Sequence, residues 1–211
     1  MIHLYAFTDA GAPLPAATGI GGGGLAAVLI EDVAAVVGPL QGPAMERDDA
    51  IAHGLVVEAL REVADAVLPV RFGERFADRA ALADAVTGRL DTLRERLARV
   101  RGCVEFGVRM VAEPEPAKQQ PTAHDGSAYM RERLASLARV NVVAAELHRP
   151  LTRCARASVV TPGADHAAAY LVRTEERAAF ERALAGFVSA HPAATVLCTG
   201  PWAPYSFAEA T

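Results

Sequence analysis

The order of strand-like and helix-like patterns after Gly102 is the feature that most constrains the fold of this chain. Apolar and polar residues alternate between Val104 and Met110, which is typical of a half-buried strand. Later segments predict helices at 127–147 and 175–188, and strands at 154–161, 167–172 and 194–199. This order of strand, helix, strand, strand, helix, strand predicts a four-stranded antiparallel sheet with both helices on one face, the ferredoxin-like arrangement.

The first half of the chain predicts about three strands followed by two helices. The strand-like runs are Ile2–Phe7, Leu25–Ile30 and Val33–Val37. A helix is predicted from about Met45 to Val67, and Pro69 would end it because the residue before a proline avoids the helical region. Apolar residues recur every four positions along this helix, at Ile51, Leu55, Ala59, Val63 and Val67. A second helix is predicted from Asp78 to Val100, with a narrow apolar stripe.

We therefore predict an α+β fold with two domains. Residues 1–101 are predicted to form an N-terminal three-stranded α+β domain. Residues 102–211 are predicted to form a ferredoxin-like βαββαβ C-terminal domain whose last residues are a docking tail. The 211 residues are 52% apolar and 22% charged, so the chain can bury a core without a metal or a disulfide. Cys103, Cys154 and Cys198 form no CxxC pair and are predicted to be small buried hydrophobic residues in a reducing cytoplasm.

Charge and hydropathy argue against two classes of partner. The net charge is −4 at pH 7, which disfavours a general phosphate or nucleic-acid binder. The most apolar stretch, Leu25 to Leu40, is interrupted by Glu31 and Asp32 and is too short to span a membrane. The N-terminal residues lack the pattern of a signal peptide. We expect a cytoplasmic protein with no nucleic-acid or membrane partner.

Two candidate sites have simpler interpretations as ordinary structure. The segment Gly19–Gly24 matches GxGxxG, but a strand-like run follows it where a dinucleotide-binding loop needs a helix. Glu46, Asp49 and His53 lie about one helical turn apart, yet the run Met45–Asp49 is more simply the solvated, acidic start of a helix. No other catalytic or metal-ligating grouping is present. The sequence therefore predicts no catalytic residue, no cofactor and no metal, and a protein that is not an enzyme.

Two segments carry the most distinctive residues, Leu68–Phe76 and Thr199–Phe207. An arginine between apolar neighbours needs an ion pair or access to the surface. Arg71 therefore has two interpretations. It either forms a buried ion pair that fixes the turn between two helices, which we favour, or it contacts a docking partner or a ligand. The aromatic residues near the C-terminus either cover a hydrophobic cleft between the two halves of the chain or form an exposed patch for a partner. The partner-binding candidates are Arg71, Phe72, Trp202, Tyr205 and Phe207.

These two segments, in this order, resemble the gas vesicle protein F/L family (GvpF/GvpL), and the resemblance spans nearly the whole chain. The strongest matches are Leu68-Pro-Val-Arg-Phe-Gly73 and Thr199-Gly-Pro-Trp-Ala-Pro-Tyr-Ser-Phe207. The helix around His53 to Leu60, the strand around Glu105 and the segment Tyr129–Arg133 support it. Ala203 stands where the family usually has a third proline, and Leu4–Phe7 is a loose version of the usual first strand. These departures leave open whether the chain is an F-type or an L-type member.

The resemblance implies a role in building gas vesicles, the protein-walled flotation compartments of some prokaryotes. It implies an accessory protein, located in the cytoplasm and at the gas vesicle, that binds the main hydrophobic shell protein and other accessory proteins. Such a protein limits aggregation of the shell protein during nucleation, and some members remain as minor wall components. The alternative is a small-molecule-binding regulatory protein, because ferredoxin-like sheets also host ligand sites. A large thermal shift with metabolites or metals would favour that alternative.

Overall fold

A computed structural model of the protein describes residues 1–40, 47–111, 130, 142–161 and 167–208. It has helices and two sheets, so the predicted α+β class is confirmed. Contacts divide the chain into a first unit of Met1–Glu105 with Pro201–Thr211, and a second unit of Phe106–Gly200. The C-terminal residues thus group with the first unit, whereas the sequence analysis assigned them to the second half. The division into domains at 101/102 stays a prediction.

The first sheet contains the three predicted strands and two further short ones. Its strands are β1 (Ile2–Asp9), β2 (Ala26–Ile30), β3 (Val33–Pro39), β4 (Val67–Pro69) and β5 (Arg75–Phe76). The order is β2-β3-β1-β4, all antiparallel, and β5 also pairs with β1. The strands β4 and β5 were not predicted. Pro69 is the last residue of β4 and does not follow a helix, because the chain has already left the helix before Val67.

The hairpin between β2 and β3 is attached to a helix of the same unit. Glu31 has a positive φ of 55°, as tight hairpin turns require. The guanidinium group of Arg94 donates hydrogen bonds to Glu31 and to both carboxylate oxygens of Asp32. These bonds raise the pKa of Arg94 and lower that of Asp32. These bonds hold the tip of the hairpin against the helix that carries Arg94.

Three helices of the first unit differ in extent from the prediction. They are α1 (Arg47–Val63), α2 (Arg79–Thr87) and α3 (Leu90–Val100). The helix predicted from Asp78 to Val100 is thus two helices, interrupted at Gly88 and Arg89. The Asp78 carboxylate accepts a hydrogen bond from the Ala81 amide and caps α2, as a residue at this position is expected to do. Gly88 is the C-cap of α2, and glycine is a weak helix former.

Helix α1 buries a different face from the one that its four-residue repeat indicates. Ile51, Leu55 and Val63 are 54%, 65% and 43% exposed. The buried side chains are instead those of His53, Val56, Val57 and Leu60. Both sets satisfy a helical spacing, so periodicity alone does not choose between them. The buried set contributes to the core of the first unit, which includes Tyr5, Ala6, Ile20, Val36, Leu40, Val67 and Ala203.

The second sheet has the strand order of the predicted ferredoxin-like arrangement. Its strands are β6 (Cys103–Val111), β7 (Ala157–Val160), β8 (Ala168–Arg173) and β9 (Thr195–Trp202), in the order β7-β8-β6-β9. The first and third strands of the motif, β6 and β8, are therefore central neighbours. The helices are α4 (142–153) and α5 (Arg177–Ala190), and a short α6 (Tyr205–Ala208) follows β9. Residues 112–129 and 131–141, which include much of the helix predicted at 127–147, lie outside the described residues.

An aromatic cluster forms the core of the second unit. The rings of Phe106 on β6 and Phe180 on α5 stack with centroids 5.0 Å apart, and Tyr170 on β8 packs against Phe180. The Tyr170 hydroxyl is 2.8 Å from Nδ1 of His148 on α4. Burial raises the pKa of Tyr170 to about 12, so the phenol keeps its proton. Because Tyr170 contacts both helices, α4 and α5 lie on the same face of the sheet, as predicted.

Two smaller expectations about the second half are wrong. Helix α4 continues through Pro150 to residue 153, whereas the predicted helix ends at residue 147. The hydroxyl of Thr152 donates to the carbonyl groups of His148 and Arg149, which lie next to the proline. The cysteines are not all buried either: Cys103 is buried, whereas Cys154 is half-buried and Cys198 is exposed. None of the three forms a disulfide.

Candidate partner-binding surface

The C-terminal segment is held on the first unit by hydrogen bonds to two carboxylates. We call residues 201–208 the docking tail. The Ala203 amide donates to Oε1 of Glu58 on α1 at 2.9 Å. The Ser206 amide and hydroxyl donate to the two oxygens of Glu105, at 2.8 and 2.7 Å. Hydrogen bonds to ionised groups are stronger than neutral ones, so the two glutamates fix both ends of a short stretch of backbone.

Apolar burial completes the docking of the tail. Phe207 is only 2% exposed, and Ala203 and Ala208 are also buried. The guanidinium carbon of Arg99 lies 5.8 Å from the centre of the Phe207 ring, and Arg96 donates a hydrogen bond to the Ala208 carbonyl. Burying a phenylalanine side chain contributes about 1.5–3 kcal/mol. Phe207 is therefore buried within the first unit, and its place in a cleft between the two halves stays a prediction.

Glu105 is an unusual residue because it is a buried carboxylate. Burial raises the pKa of this carboxyl group, and the two hydrogen bonds from Ser206 partly oppose the rise. The nearby charge of Glu58 raises the pKa further. The docking tail is thus attached to a pair of acidic groups that repel each other, and the amide and hydroxyl hydrogens of the tail relieve that repulsion.

The other two aromatic residues of the docking tail remain accessible. Trp202 is 48% exposed and Tyr205 is 36% exposed. Burial raises the pKa of Tyr205 to about 12, so its hydroxyl stays a hydrogen-bond donor. Ala203 follows Trp202, Ser206 follows Tyr205, and both are held by hydrogen bonds, so these two side chains stand on a backbone with little freedom. Ordered aromatic side chains of this kind are typical of protein-binding sites.

Helix α1 adds exposed apolar side chains to the same unit. We call Ile51, Leu55 and Val63 the apolar stripe of α1. Glu58, which binds the Ala203 amide, lies one turn after Leu55 on this helix. Exposed apolar residues are common when scattered singly, whereas three on one helix beside the attachment point of the docking tail form a larger apolar area. Such areas mark interaction sites in soluble proteins.

The loop after β4 carries Arg71 and Phe72. Arg71 is exposed, and it lies between two strands. The interpretation of a buried ion pair at a turn between two helices is therefore wrong. The Phe72 ring lies over two buried histidines, with ring centres 5.9 Å from His3 and 5.8 Å from His53. About a third of Phe72 remains exposed. Whether Arg71 or Phe72 contacts a partner stays a prediction.

The two histidines under Phe72 form a buried, neutral pair. Nε2 of His53 faces the Val70 carbonyl at 3.1 Å and must carry a hydrogen, which leaves Nδ1 as an acceptor for Nε2 of His3 at 2.8 Å. Nδ1 of His3 has no hydrogen-bond partner among the described residues. Burial, together with His53, lowers the pKa of His3 to about 4, and burial lowers that of His53. Both rings are therefore uncharged at neutral pH.

A groove of about 470 Å³ lies within the first unit. Its apolar floor is formed by Leu4, Leu68, Pro69, Val86 and Leu93. Its charged and polar lining includes Arg71, Glu74, Arg89, Arg96 and Tyr205. The structure thus brings two of the predicted candidates, Arg71 and Tyr205, to one groove. Trp202, Phe72 and Phe207 are not among the residues that line it.

The glycine-rich segment is part of the fold of the first unit. The Gly19–Gly24 segment contains a 3-10 turn, Ile20–Gly22, whose Ile20 amide donates to the Tyr5 hydroxyl, so this segment packs against β1. Among the described residues, no group of three or more His, Cys, Asp or Glu side chains is placed to hold a metal ion. Among the same residues, no helix has the length and hydropathy needed to cross a membrane.

Sequence reasoning missed the two residues that anchor the docking tail. Glu105 alternates with apolar neighbours along β6, which predicted its place on a strand but not its burial. Glu58 looks like one of several solvated acids on α1. The Ala203 amide is 145 residues from Glu58 in the chain, and Ser206 is 101 residues from Glu105. No local pattern reports contacts of such separation.

This chain is similar, over most of its length, to one described protein family and to individual gas vesicle proteins. The family described as gas vesicle synthesis protein GvpL/GvpF matches residues 1–209. Gas vesicle protein L of Streptomyces sp. (strain CB03234) is 34% identical over 186 residues, which is 76% of this chain and 69% of that protein. Gas vesicle protein F2 of Halobacterium salinarum is 31% identical over 186 residues, 86% of this chain and 79% of that protein.

Two solved structures share the fold. The crystal structure of GvpF from Anabaena sp. PCC7120 has a TM-score of 0.84, covering all of this chain and 96% of that chain at 17% identity. GvpF from Microcystis aeruginosa has a TM-score of 0.82 at 17% identity, covering 99% of each chain. Because the family match spans residues 1–209 and relatives of both names are 31–34% identical over the aligned residues, the chain belongs to the GvpL/GvpF family of gas vesicle synthesis proteins.

Proposed function

We propose that this protein is an accessory factor of gas vesicle assembly that binds the main hydrophobic shell protein. It also binds other accessory proteins, limits aggregation of the shell protein during nucleation, and remains as a minor component of the vesicle. Membership of the GvpL/GvpF family supports a role related to gas vesicles. The contact with the shell protein and the effect on its aggregation are the further steps that the proposal adds.

The observation that carries this proposal is the exposed apolar surface of the first unit. It consists of the apolar stripe of α1 and Trp202, all between 43% and 65% exposed. A shell protein that assembles through apolar surfaces needs a temporary cover for them before it polymerises. Apolar side chains on an ordered helix and an anchored tail can provide that cover without a large cost in entropy.

The candidate residues have different roles in this proposal. Trp202 and Tyr205 contact the partner because their rings are accessible on a fixed backbone. Phe207 supports them from the core and does not contact the partner. Arg71 and Phe72 offer a second contact point in the loop after β4. This assignment predicts that only some substitutions in the two distinctive segments weaken binding without unfolding the protein.

Co-purification with the main shell protein, co-expressed in a host that lacks gas vesicles, tests the proposal. We expect the wild-type protein to keep the shell protein soluble and to elute with it. A double variant, Leu55→Gln with Trp202→Ala, should lose the shell protein and keep its own thermal stability. Leu197→Gln is the matched control, because Leu197 is 52% exposed in the second unit.

Two results would contradict the proposal. Equal aggregation of the shell protein with and without this chain would exclude direct binding. A double variant that still co-elutes with the shell protein would remove the apolar stripe and Trp202 from the contact surface. A large thermal shift with a metabolite, combined with no binding of the shell protein, would instead favour the small-molecule-binding alternative.

A further inference from the structure

We propose that the groove of the first unit binds an acidic, apolar peptide segment of a partner protein. This inference rests on the proposed function, because it names the chemistry of a partner that an assembly factor would bind. The groove is separate from the apolar stripe of α1, none of whose residues line it. It therefore adds a second type of contact, in which charge selects the partner.

The charged side chains of the groove give it a sign opposite to that of the whole protein. Its lining holds three arginines, Arg71, Arg89 and Arg96, and one glutamate, Glu74. The protein as a whole has a net charge of −4 at pH 7. A local concentration of arginine in an acidic protein attracts carboxylates, and the planar guanidinium group can bind a carboxylate through two parallel hydrogen bonds.

The floor of the groove selects apolar side chains at the same time. Leu68 and Pro69 of β4 and Val86 and Leu93 of the neighbouring helices are buried in the protein core and line the groove. The volume of about 470 Å³ lies in the range of ligand sites, roughly 300–1,000 Å³. A peptide with only acidic side chains would leave the apolar floor in contact with water. A peptide with both acidic and apolar side chains can pair with the arginines and cover the floor.

Backbone pairing contributes little to this recognition. Directly after β4, the Val70 amide donates to the Tyr5 carbonyl of β1. The backbone groups of Pro69 therefore point the other way, because alternate residues of an extended chain direct their groups to opposite sides. Proline has no amide hydrogen to donate. An added strand would find no donor there, so side chains must supply the specificity.

The three arginines differ in how they can be tested. Arg96 also donates to the Ala208 carbonyl, so its substitution would disturb the docking tail. Arg71 and Arg89 are exposed, and their reversal changes charge with little change in packing. The test variant is therefore Arg71→Glu with Arg89→Glu. Arg109→Glu with Arg173→Glu is the matched control, since both arginines are exposed in the second unit.

The direct test measures fluorescence anisotropy of short labelled peptides with the full-length protein. A peptide of alternating Leu and Glu should bind, and one of alternating Leu and Lys should not. The groove variant should weaken binding of the Leu/Glu peptide about tenfold or more, because an attraction becomes a repulsion at two positions. The control variant should bind like the wild type, and added salt should weaken the wild-type interaction. Equal binding of both peptides, or equal loss in both variants, would overturn the proposal.

Shell-protein co-purification separates this inference from the proposed function. If the shell protein elutes with the wild type and the Leu/Glu peptide does not bind, the groove proposal fails and the proposed function stands. If the peptide binds through Arg71 and Arg89 and the shell protein does not co-elute, the groove proposal stands and the shell-protein contact fails. Thermal unfolding of the groove variant shows whether it is folded. If it is folded, a loss of binding results from the changed charges.

Discussion

The docking tail and the histidine pair are two buried polar regions of the same unit, and they are built from opposite chemistry. The docking tail is bound by the carboxylates of Glu58 and Glu105, which accept hydrogens from its backbone and from Ser206. The histidine pair is a neutral chain in which His3 donates to His53 and His53 donates to the Val70 carbonyl. One region accommodates acidic groups, and the other depends on the absence of charge.

This difference predicts opposite responses to acid. The pKa of Glu105 is raised, mainly by burial, so its contribution to stability is present below its ordinary pKa and is lost as the pH rises through the raised value. The pKa of His3 is lowered to about 4, so its contribution is present above pH 6.5 and is lost as the pH falls through about 4. Acidification therefore removes the cost of burying a charged Glu105 and disfavours the histidine pair.

Removing the buried ring of the docking tail should have the largest effect. Phe207→Ala should lower the free energy of unfolding by about 3 kcal/mol or more, because the ring fills a core position. Urea unfolding at neutral pH measures this change. Trp202→Ala is the comparison within the same tail, and we expect a loss below about 1 kcal/mol because that ring is half exposed. Similar losses in the two variants would contradict the division into buried anchor and exposed contact.

Titration of His3 should have the next largest effect. The interval between 6.5 and about 4 corresponds to about 3 kcal/mol, which the protein loses progressively as the pH falls through that range. His3→Gln can still donate to His53 but does not titrate. Between pH 7 and about pH 4.5, urea unfolding should therefore show a larger loss of stability for the wild type than for this variant. Parallel pH profiles would show that His3 is not the responsible group.

The sequence predicted the second sheet more completely than the first. Alternation along β6 and the two helix-like patterns were sufficient for the ferredoxin-like order, because each element is long enough to show its period. In the first unit, β4 and β5 have three and two residues, too few for a period to appear. Pro69 fitted the end of a helix equally well. The sequence did not predict β4 and β5, because these strands depend on pairing with β1 and not on a local pattern.

The candidate site was predictable in composition but not in arrangement. Trp202, Tyr205 and Phe207 were identified together because aromatic residues are rare in this chain. Their division into one buried and two exposed rings depends on Glu58 and Glu105, which are far away in the sequence. The exposed face of α1 was not predicted because apolar residues occupy two of its sides, and only the tertiary contacts of His53 and Leu60 select the buried one.

A smaller effect is expected from the hydroxyl that binds Glu105. Ser206→Ala should cost about 1.5 kcal/mol at pH 7, because it removes a hydrogen bond to a buried carboxylate. The cost should shrink in acid, since a protonated Glu105 needs fewer donors. Urea unfolding at pH 7 and at about pH 4.5 measures both values, with Ser189→Ala on the exposed face of α5 as control. A cost that does not depend on pH would mean that the hydroxyl does not stabilise the charged form.

The smallest change in stability, and the sharpest test of the comparison, should come from Phe72→Ala. The Phe72 ring covers His3 and His53 on one side, so its removal admits water and reduces the burial that lowers both pKa values. We expect both pKa values to move back toward 6.5, as measured by NMR titration of the imidazole protons, with less than about 1 kcal/mol lost at neutral pH. The docking tail should be unaffected, because the side chains that hold it are those of Glu58 and Glu105. Unchanged histidine pKa values would mean that the sheet and α1 alone keep the pair dry, and Phe72 would then be free to act only as a contact for a partner.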